Sequence, residues 1–303
     1  HARGHLVRVN AADMHVVWEL PLTGVAFNVV ARGRRLYFAT CSCTVEEIDI
    51  EERQRIKSLT YEGEAPCGIA LIDNYLVVVG YDGRVHIWDI SNWQKETVQR
   101  LPLRFCWGAF KEGKSVYAYG DGGLARIEPP LTLWAKKLHI TSTKRSAFGR
   151  VHSVAMTATT IIMGVSDATL RGITYDGREL WSIPRVADPS TMDVAMALAV
   201  ALNGDIFTVS GLGKVSRWSP TTRKHIWLNE QPAGRLGPGK LWLSGNTLIV
   251  AKGDTVAFLN AQTGRVLARQ PLGAFIFGGG PLPNGSVVAI TYQKGAFIVT
   301  QNG

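Results

Sequence analysis

The residues best suited to chemistry in this chain are cysteines, histidines and turn aspartates, and their spacing favours no particular reaction. Cys41 and Cys43 stand one residue apart, but no second cysteine or histidine pair lies at the spacing of zinc ligands. The seven histidines include no pair four residues apart on a helix that would bind a metal. We therefore predict no catalytic residue, no metal site and no cofactor.

Three further features could carry chemistry, and for each the structural interpretation is the stronger one. His152 begins a predicted strand, and we expect it to pack there even though it could face water or a ligand. Gly278, Gly279 and Gly280 could cradle a phosphate, but close packing of a strand explains them better. Aspartates recur in similar turns, where their side chains favour local hydrogen bonds over a calcium or sugar site. These aspartates are Asp82, Asp121, Asp167 and Asp254.

An internal repeat of about 40 residues organises these candidates. Seven Gly-, Asp- or Ser-containing turns, centred near residues 41, 81, 121, 166, 211, 252 and 292, each lie between short runs rich in β-branched and aromatic residues. Asn-Gly pairs at 203–204 and 284–285 mark hairpin turns earlier in two of the repeats. A period near 40 with four short strands is typical of propeller blades.

The repeat predicts an all-β chain that forms a seven-bladed β-propeller of four-stranded antiparallel blades, with eight blades as the alternative. We expect one domain over residues 1–303. The predicted blades are 21–60, 61–101, 102–139, 146–184, 192–229, 236–271 and 272–303 plus 5–20. Residues 15–20 should pair with 296–300 to close the propeller through the N-terminal strand. One strand is then in excess, because 5–10 and 296–300 compete for the same place, and the sequence does not decide between them.

Two known repeat types resemble these segments. The run DGRVHIWDI at 82–90 resembles the third strand of a WD repeat, with a Trp-Asp pair at Trp88 and Asp89. The runs at 255–270, 170–183 and 5–20 are more similar to repeats of pyrroloquinoline-quinone-type propellers. The resemblance implies the fold and no specific activity. A quinone-dependent dehydrogenase of that type would be longer, with a disulfide between adjacent cysteines and a calcium site, whereas Ser42 separates the cysteines here.

Composition limits the class of protein and of partner. The chain has 303 residues, of which 46% are hydrophobic and 19% charged, which excludes a coiled coil and a disordered chain. No apolar run is long enough to span a membrane as a helix. The net charge of +9 admits nucleic acid or anionic lipid as a partner, but the basic residues are scattered. Free thiols and the absence of a visible signal peptide favour an intracellular, cytoplasmic location, with the nucleus or a membrane-associated complex as alternatives.

Loops between the predicted blades are the best place for function, because a rigid scaffold presents them. The long connection 139–151 holds basic residues and one aromatic residue, a combination that suits an acidic peptide, a phosphorylated segment or a nucleic-acid backbone. Trp93 lies in a predicted turn and is the best candidate for an exposed contact residue. The predicted partner-binding residues are therefore Lys144, Arg145, Phe148, Arg150 and Trp93.

These patterns predict a non-catalytic scaffold for protein–protein interaction, as a module of a larger protein or assembly. The first alternative is a protein that binds an anionic partner, nucleic acid or phosphoinositide, through basic loops. The second is a small-molecule or metal-dependent enzyme that uses the central channel of the propeller.

Overall fold

The computed structural model describes residues 4–10, 12–13, 15–129, 132–137, 149–184, 193–230, 234, 239–282, 284–291 and 295–301. For residues 27, 96, 97, 132–137 and 277 it describes the backbone alone. The chain divides into two compact units. The first unit comprises His1–His139 and Ser146–Arg150, and the second comprises Ile140–Arg145 and Val151–Gly303.

The structure confirms the predicted fold class: an all-β chain of seven blades, most of them four-stranded antiparallel sheets, with the β-propeller fold. Within the described ranges there is no helix. Six blades have four strands and the last has three, and a two-stranded hairpin precedes the first blade. The single domain over 1–303, its blade limits and its closure by residues 15–20 would involve both units and stay predictions.

The first unit contains the hairpin and blades 1 to 3. The hairpin pairs β1 (His5–Val9) with β2 (Val16–Pro21). Blade 1 is β3 (Ala26–Arg32), β4 (Arg35–Thr40), β5 (Thr44–Asp49) and β6 (Gln54–Thr60). Blade 2 is β7 (Pro66–Ile72), β8 (Tyr75–Gly80), β9 (Arg84–Asp89) and β10 (Gln94–Arg100). Blade 3 is β11 (Cys106–Glu112), β12 (Ser115–Gly120), β13 (Gly123–Glu128) and β14 (Thr132–Lys137).

The second unit contains blades 4 to 7. Blade 4 is β15 (Val151–Met156), β16 (Ile161–Val165), β17 (Leu170–Ile173) and β18 (Glu179–Ile183). Blade 5 is β19 (Ala195–Val200), β20 (Ile206–Ser210), β21 (Val215–Ser219) and β22 (Lys224–Asn229). Blade 6 is β23 (Gly239–Ser244), β24 (Thr247–Lys252), β25 (Thr255–Asn260) and β26 (Val266–Pro271). Blade 7 is β27 (Ile276–Pro281), β28 (Val287–Thr291) and β29 (Gly295–Val299).

Burial explains why the strands differ in sequence. The second strand of blade 2, YLVVVG, is apolar throughout because neighbouring sheets cover both of its faces, and five of its six residues are buried. The fourth strand of blade 1, QRIKSLT, is polar and mostly exposed because it forms an outer edge. Within each unit the apolar clusters lie between neighbouring sheets, such as the cluster of Val77, Val85 and Ala118 between blades 2 and 3.

First strands of neighbouring blades approach closely where small residues allow it. A Cβ atom built on Gly68 of β7 would lie 2.5 Å from the Cβ of Ala109 in β11. That distance is far below van der Waals contact, so only glycine fits at this point of the interface between blades 2 and 3. The small residues of the first strands therefore determine how tightly these two blades pack.

An irregularity recurs near the start of the first strand of six blades. The pairing with the second strand skips one residue there, as in a β-bulge. The skipped residues are Phe27, Cys67 and Trp107 in the first unit and His152, Met196 and Phe277 in the second. Blade 6 has no such shift in this strand pair. In a bulge the extra residue has no pairing partner on the neighbouring strand, and its side chain departs from the regular alternation between the two faces of the sheet. This position can therefore direct a side chain toward the surface.

Candidate functional site

One end of blades 2 and 3 gathers the turns between second and third strands together with the connections between blades. The Tyr81 amide donates to the Ala65 carbonyl at 2.9 Å, and the Cys106 amide donates to the Tyr81 carbonyl at 2.9 Å. The Arg104 amide donates to the Asp121 carbonyl, also at 2.9 Å. We call this end of the first unit the inter-blade face. Its backbone is fixed by these hydrogen bonds, so side chains on it have a defined position.

Trp107 is the bulged residue of β11 and reaches this face. Its neighbours Cys106 and Gly108 pair with consecutive residues of β12, which leaves Trp107 outside the ladder. The side chain is 42% exposed, an unusual environment for tryptophan. Gly108 beside it leaves room for Tyr119, whose hydroxyl would lie 2.4 Å from a Cβ at that position. The bulge thus brings a large ring to the surface without disturbing the core.

Asp121 holds the exposed indole in place. The indole N–H of Trp107 donates to Asp121 Oδ1 at 3.0 Å, and Nε of Arg150 lies 3.1 Å from the same oxygen. The Asp121 side chain is only 3% exposed, so the Trp107 indole and the Arg150 guanidinium replace the water that would otherwise solvate its carboxylate. Asp121 and Arg150 also form a backbone bridge, and the Gly122 amide donates to the Gly149 carbonyl at 2.5 Å. The residues next to Arg150 are thereby tied to the turn of blade 3.

Two more aromatic rings complete a surface that we call the aromatic platform: Tyr81, Phe105 and Trp107. The ring centroids of Tyr81 and Trp107 are 5.4 Å apart in an edge-to-face arrangement, and those of Tyr81 and Phe105 are 5.2 Å apart. The guanidinium of Arg104 lies over the Phe105 ring, 5.4 Å from its centroid. Tyr81 and Phe105 are half-buried, so the platform combines fixed rings with accessible ring surface.

Asp121 differs from the other turn aspartates, for which local hydrogen bonding is confirmed. Asp82 accepts from the Arg84 amide, Asp167 from the amide and hydroxyl of Thr169, and Asp254 from the hydroxyl of Thr255. Each of these contacts lies within two residues in sequence and serves the turn itself. The partners of Asp121 lie 14 and 29 residues away, on a first strand and on the connection after blade 3. Only Asp121 among the four therefore organises a surface.

Two thiols of the first unit, those of Cys43 and Cys67, have environments that oppose nucleophilic chemistry. Burial raises the pKa of the Cys43 thiol above its ordinary value, and the thiol donates to the Gly63 carbonyl at 3.3 Å. A hydrogen bond with Cys106, together with burial, raises the pKa of the Cys67 thiol. A thiol with a raised pKa carries little thiolate at neutral pH, and the thiolate is the reactive form. Among the described residues, no group of three His, Cys, Asp or Glu side chains is arranged to hold a metal ion.

His86 is fully buried and packs between aromatic rings. Its ring stacks on Trp88 with centroids 5.7 Å apart and lies 4.8 Å from the centroid of Tyr61. Burial lowers the pKa of His86 to about 4, and the positive charge of Lys95 acts in the same direction. The imidazole is thus neutral at physiological pH, as expected of a packed core residue.

The predicted binding residues divide into three groups. Lys144, Arg145 and Phe148 lie outside the described residues. Arg150 lies on the inter-blade face, where it pairs with Asp121. Trp93 lies in the turn between the third and fourth strands of blade 2, half-buried rather than fully exposed.

The contacts of Trp93 join two blades. Its indole N–H donates to Glu47 Oε2 of blade 1 at 3.2 Å, and its ring centroid is 6.1 Å from that of Tyr37. These contacts give Trp93 a packing role, and its role in partner binding stays a prediction.

Sequence reasoning missed the aromatic platform, although a signal was present. The repeat places five of the nine tryptophans on third or fourth strands, and Trp107 is among the four that fit this register less well. Tyr81 lies in a repeated middle turn, and Phe105 precedes a first strand by one residue. Nothing in their spacing shows that these three rings meet, because the contacts join two blades.

Each unit also has a cleft lined by first strands. A cleft of about 580 Å³ in the first unit is lined by β3 and β7 and by the side chains of Arg32 and Lys111. One of about 560 Å³ in the second unit is lined by Met156, Trp181 and Leu202 among others. Lys111 donates to the Leu71 carbonyl at 2.7 Å, and Arg32 donates to the Asp73 carbonyl and the Asn74 side chain. The two cationic groups of the first cleft therefore already have hydrogen-bond acceptors within the protein.

Comparisons with known proteins match these observations. The family model PQQ_2, described as "Outer membrane protein assembly factor BamB", matches residues 1–270. A computationally designed protein, Ika8, is 15% identical with a TM-score of 0.78, over 98% of this chain and 90% of that chain. BamB from Moraxella catarrhalis is 14% identical with a TM-score of 0.71, over 91% of this chain and 85% of that chain. At these identities the two structures show the shared fold alone. A search of curated protein sequences finds no significant match.

Proposed function

Since this chain belongs to the PQQ_2 family, whose description is that of the outer membrane protein assembly factor BamB, we propose that it is a non-catalytic scaffold for protein–protein interaction. In this proposal it is a module of a larger protein or assembly and binds its partner through the inter-blade face. The pyrroloquinoline-quinone-type resemblance of the sequence is confirmed by the family match, while the WD-repeat resemblance has no comparable support. The family name supports a role in an assembly and says nothing about the partner of this chain.

The aromatic platform is the observation that carries this proposal. Aromatic and arginine side chains often dominate the binding energy of protein interfaces, and an aromatic ring buries a large area while it loses the freedom of only two side-chain torsions. Trp107 is exposed and yet fixed through Asp121, so binding would not need to order it. A surface of this kind stabilises a complex and has no group placed to make or break a bond.

Loss of the Trp107 ring tests this proposal. The purified chain captures partners from an extract of its source cells, the captured protein is identified, and its Kd is measured by calorimetry. We expect Trp107→Ala to weaken binding at least tenfold. The matched control is Leu202→Ala, which removes a fully exposed apolar side chain of the second unit and should leave the Kd within twofold. Equal affinity of wild type and Trp107→Ala would remove the platform from the proposal.

The long connection after blade 3 provides an independent test of the predicted residues. A variant with Lys144, Arg145 and Arg150 all changed to Glu should lose the same partner if the connection and the platform form one surface. If the triple variant still captures the partner in the same amount, the three basic residues do not contribute to binding and the aromatic platform alone remains in the proposal.

Nucleic acid or phosphoinositide is the first alternative, and the net charge of +9 is what favours it. The arginines at the inter-blade face weaken this alternative, because Arg84 and Arg150 already pair with Asp82 and Asp121. A salt titration with a 20-nucleotide single strand decides between the two. Contacts to several phosphates would make the affinity fall steeply as salt rises, by about 0.7 in log K per log salt for each phosphate contacted.

The second alternative is a small-molecule or metal-dependent enzyme that uses the central channel, and a cleft within the first unit is a described cavity that could also hold a small molecule. The cleft of the first unit has the volume of a small-molecule site, and two cationic side chains line it. Metal analysis of the purified protein and a thermal-shift screen with carboxylate and phosphate metabolites test this alternative. A stoichiometric metal or a ligand-dependent rise in Tm would favour it.

The location of the chain forms part of the proposal. In the portion of the chain that the structure describes, no helix is long and apolar enough to cross a membrane. The family description refers to assembly at the outer membrane, and we therefore extend the proposal to a complex at the cell envelope. The cytoplasm, expected from the sequence, is the alternative. Fractionation of the source cells with an antibody to this chain separates the two.

A further inference from the structure

The charges around the aromatic platform restrict what can bind to it. Aromatic rings alone suit either a cationic ligand or an apolar one. Here the cationic position over Phe105 is already occupied by Arg104, while Arg84 and Arg150 form ion pairs with Asp82 and Asp121. A cationic ligand would meet like charges at short range, which costs free energy.

The aspartates of the two ion pairs on this face are less exposed than the arginines that they neutralise. The side chains of Asp82 and Asp121 are 15% and 3% exposed, while those of the paired Arg84 and Arg150 are 44% and 38% exposed. A partner therefore contacts guanidinium groups and ring faces, and the acids lie beneath them. Arg104 is exposed, and it is not joined to any carboxylate among the ion pairs of the described residues.

Negative charge limits the patch on one side. Glu62 and Glu64 lie on the connection between blades 1 and 2 and are exposed. Arg104 and Phe105 lie on the following connection, between blades 2 and 3. An acidic group is attracted to the second connection and repelled by the first, which gives an elongated partner a preferred direction across the face.

We propose that the occupant of the aromatic platform is an extended segment of a partner protein in which an aspartate or glutamate is adjacent to an aromatic residue. This inference rests on the proposed function and specifies the chemistry of its partner. The partner's carboxylate binds Arg104, and its aromatic side chain packs on Trp107 and Tyr81. A bidentate carboxylate–guanidinium pair fixes the position of the segment, and ring contacts supply most of the affinity.

A phosphate polymer is a poorer occupant of the same surface. Its affinity grows with the number of phosphates that lysine and arginine neutralise. Only Arg104 of the three arginines at this surface has no buried aspartate as its partner, so few phosphates could be neutralised there. The proposed peptide needs one or two ionic contacts, and its binding should depend only weakly on salt.

Matched peptides test the proposal directly. The probes are four fluorescein-labelled heptapeptides: Gly-Ser-Asp-Tyr-Asp-Ser-Gly and the versions with Asn for both Asp, with Ala for Tyr and with Lys for both Asp. Fluorescence anisotropy gives each Kd with the intact chain. We expect the Asp-Tyr-Asp peptide to bind at least fivefold more tightly than the Asn and Ala versions, and the Lys version to show no measurable binding.

Variants locate the binding site. Trp107→Ala and Arg104→Gln should each weaken the Asp-Tyr-Asp peptide at least threefold, and Trp107→Phe, which keeps a ring, should weaken it less than Trp107→Ala. The matched control is Arg53→Gln, an exposed arginine in the turn between the third and fourth strands of blade 1, which should change the Kd less than twofold. Circular dichroism confirms that each variant is folded.

Four results would overturn the inference. Equal affinity for the four peptides would remove the acidic preference, and an effect of Arg53→Gln equal to that of Arg104→Gln would remove the site. Tighter binding of a 20-nucleotide single strand, with a steep salt dependence that Arg104→Gln reduces, would assign the surface to nucleic acid. If the captured partner depends on Trp107 while no acidic peptide binds, the partner chemistry is wrong and the proposed function stands.

Discussion

Asp121 shows how one residue can serve the fold and the surface together. Its carboxylate is nearly inaccessible, yet both of its charge-assisted partners have side chains that reach solvent. The side-chain hydrogen-bond partners described for the other middle-turn aspartates lie within four residues in sequence, and the longest of these contacts joins Asp167 to Arg171. Sequence reasoning correctly assigned local hydrogen bonds to that group and could not identify the exception, because the partners of Asp121 are 14 and 29 residues away.

Replacement of Asp121 by Asn should remove the negative charge of this side chain and keep its hydrogen bond with the Trp107 indole. The amide oxygen can still accept from the Trp107 indole, but the ion pair with Arg150 is lost. We expect the free energy of unfolding to fall by about 1 kcal/mol, because an ion pair with a partly exposed arginine contributes about this much. Urea denaturation measures it. The control is Asp254→Asn, whose side chain accepts from its neighbour Thr255 and from no other side chain among the described residues, and it should cost less than about 0.5 kcal/mol.

His86 should make stability depend on pH. Its pKa is about 4 in the folded chain and about 6.5 when unfolded, so the unfolded state binds the proton more readily. The stability contribution is complete above about pH 6.5 and is lost as pH falls toward 4, by about 3 kcal/mol in total.

Denaturation at pH 7.5 and pH 4.5 compares the wild type with His86→Phe, which keeps a ring between Tyr61 and Trp88. The wild type should lose about 2–3 kcal/mol more than the variant over this range. Parallel losses would show that His86 does not titrate as described.

At the scale of elements, the turns between third and fourth strands share one backbone conformation. The equivalent residues Arg53, Trp93, Arg223 and Gly264 have φ between 55° and 72°. Left-handed conformation costs most residues about 1 kcal/mol, and only one blade of these four uses glycine. Residue type did not predict their conformation, because three of the four residues are not turn formers.

Arg223→Gly should therefore stabilise the second unit. Glycine adopts φ 58° without strain, and Arg223 is exposed, so little packing is lost. We expect the free energy of unfolding to rise by about 0.5–1 kcal/mol. Lys224→Gly, one residue later and inside β22, is the matched control and should lower it, since glycine weakens a strand. A fall in both variants would contradict the strain argument.

At the scale of the whole chain, periodicity was the reliable predictor. Seven middle turns spaced by 40 to 45 residues predicted the blades, and each of them lies between two strands of one sheet. The candidate site was predicted only in part: the inter-blade loops and Arg150 were identified, and the three rings were not. A local sequence pattern predicts the sheet to which a residue belongs. It does not predict a surface that two sheets form together, because that surface depends on how the sheets pack.

Closure of the chain through residues 15–20 leads to a further prediction. If they pair with 296–300, deletion of residues 1–22 should increase amide hydrogen exchange at 295–299, because that strand would lose a neighbour. Deletion of residues 1–10 alone should leave this exchange unchanged, since it keeps the pairing strand. Exchange followed by mass spectrometry compares the three chains. Equal protection of 295–299 in all three would place the N-terminal strands elsewhere.

The bulges of the first strands have a consequence for how such a protein can diversify. A residue that the backbone ladder skips can be exchanged for another type while every neighbouring hydrogen bond stays in place. Cysteine, tryptophan, histidine and methionine already occupy this position in different blades. The binding specificity can therefore change in one blade while the sheets stay the same, and a new side chain at Met196 would be a direct way to alter it.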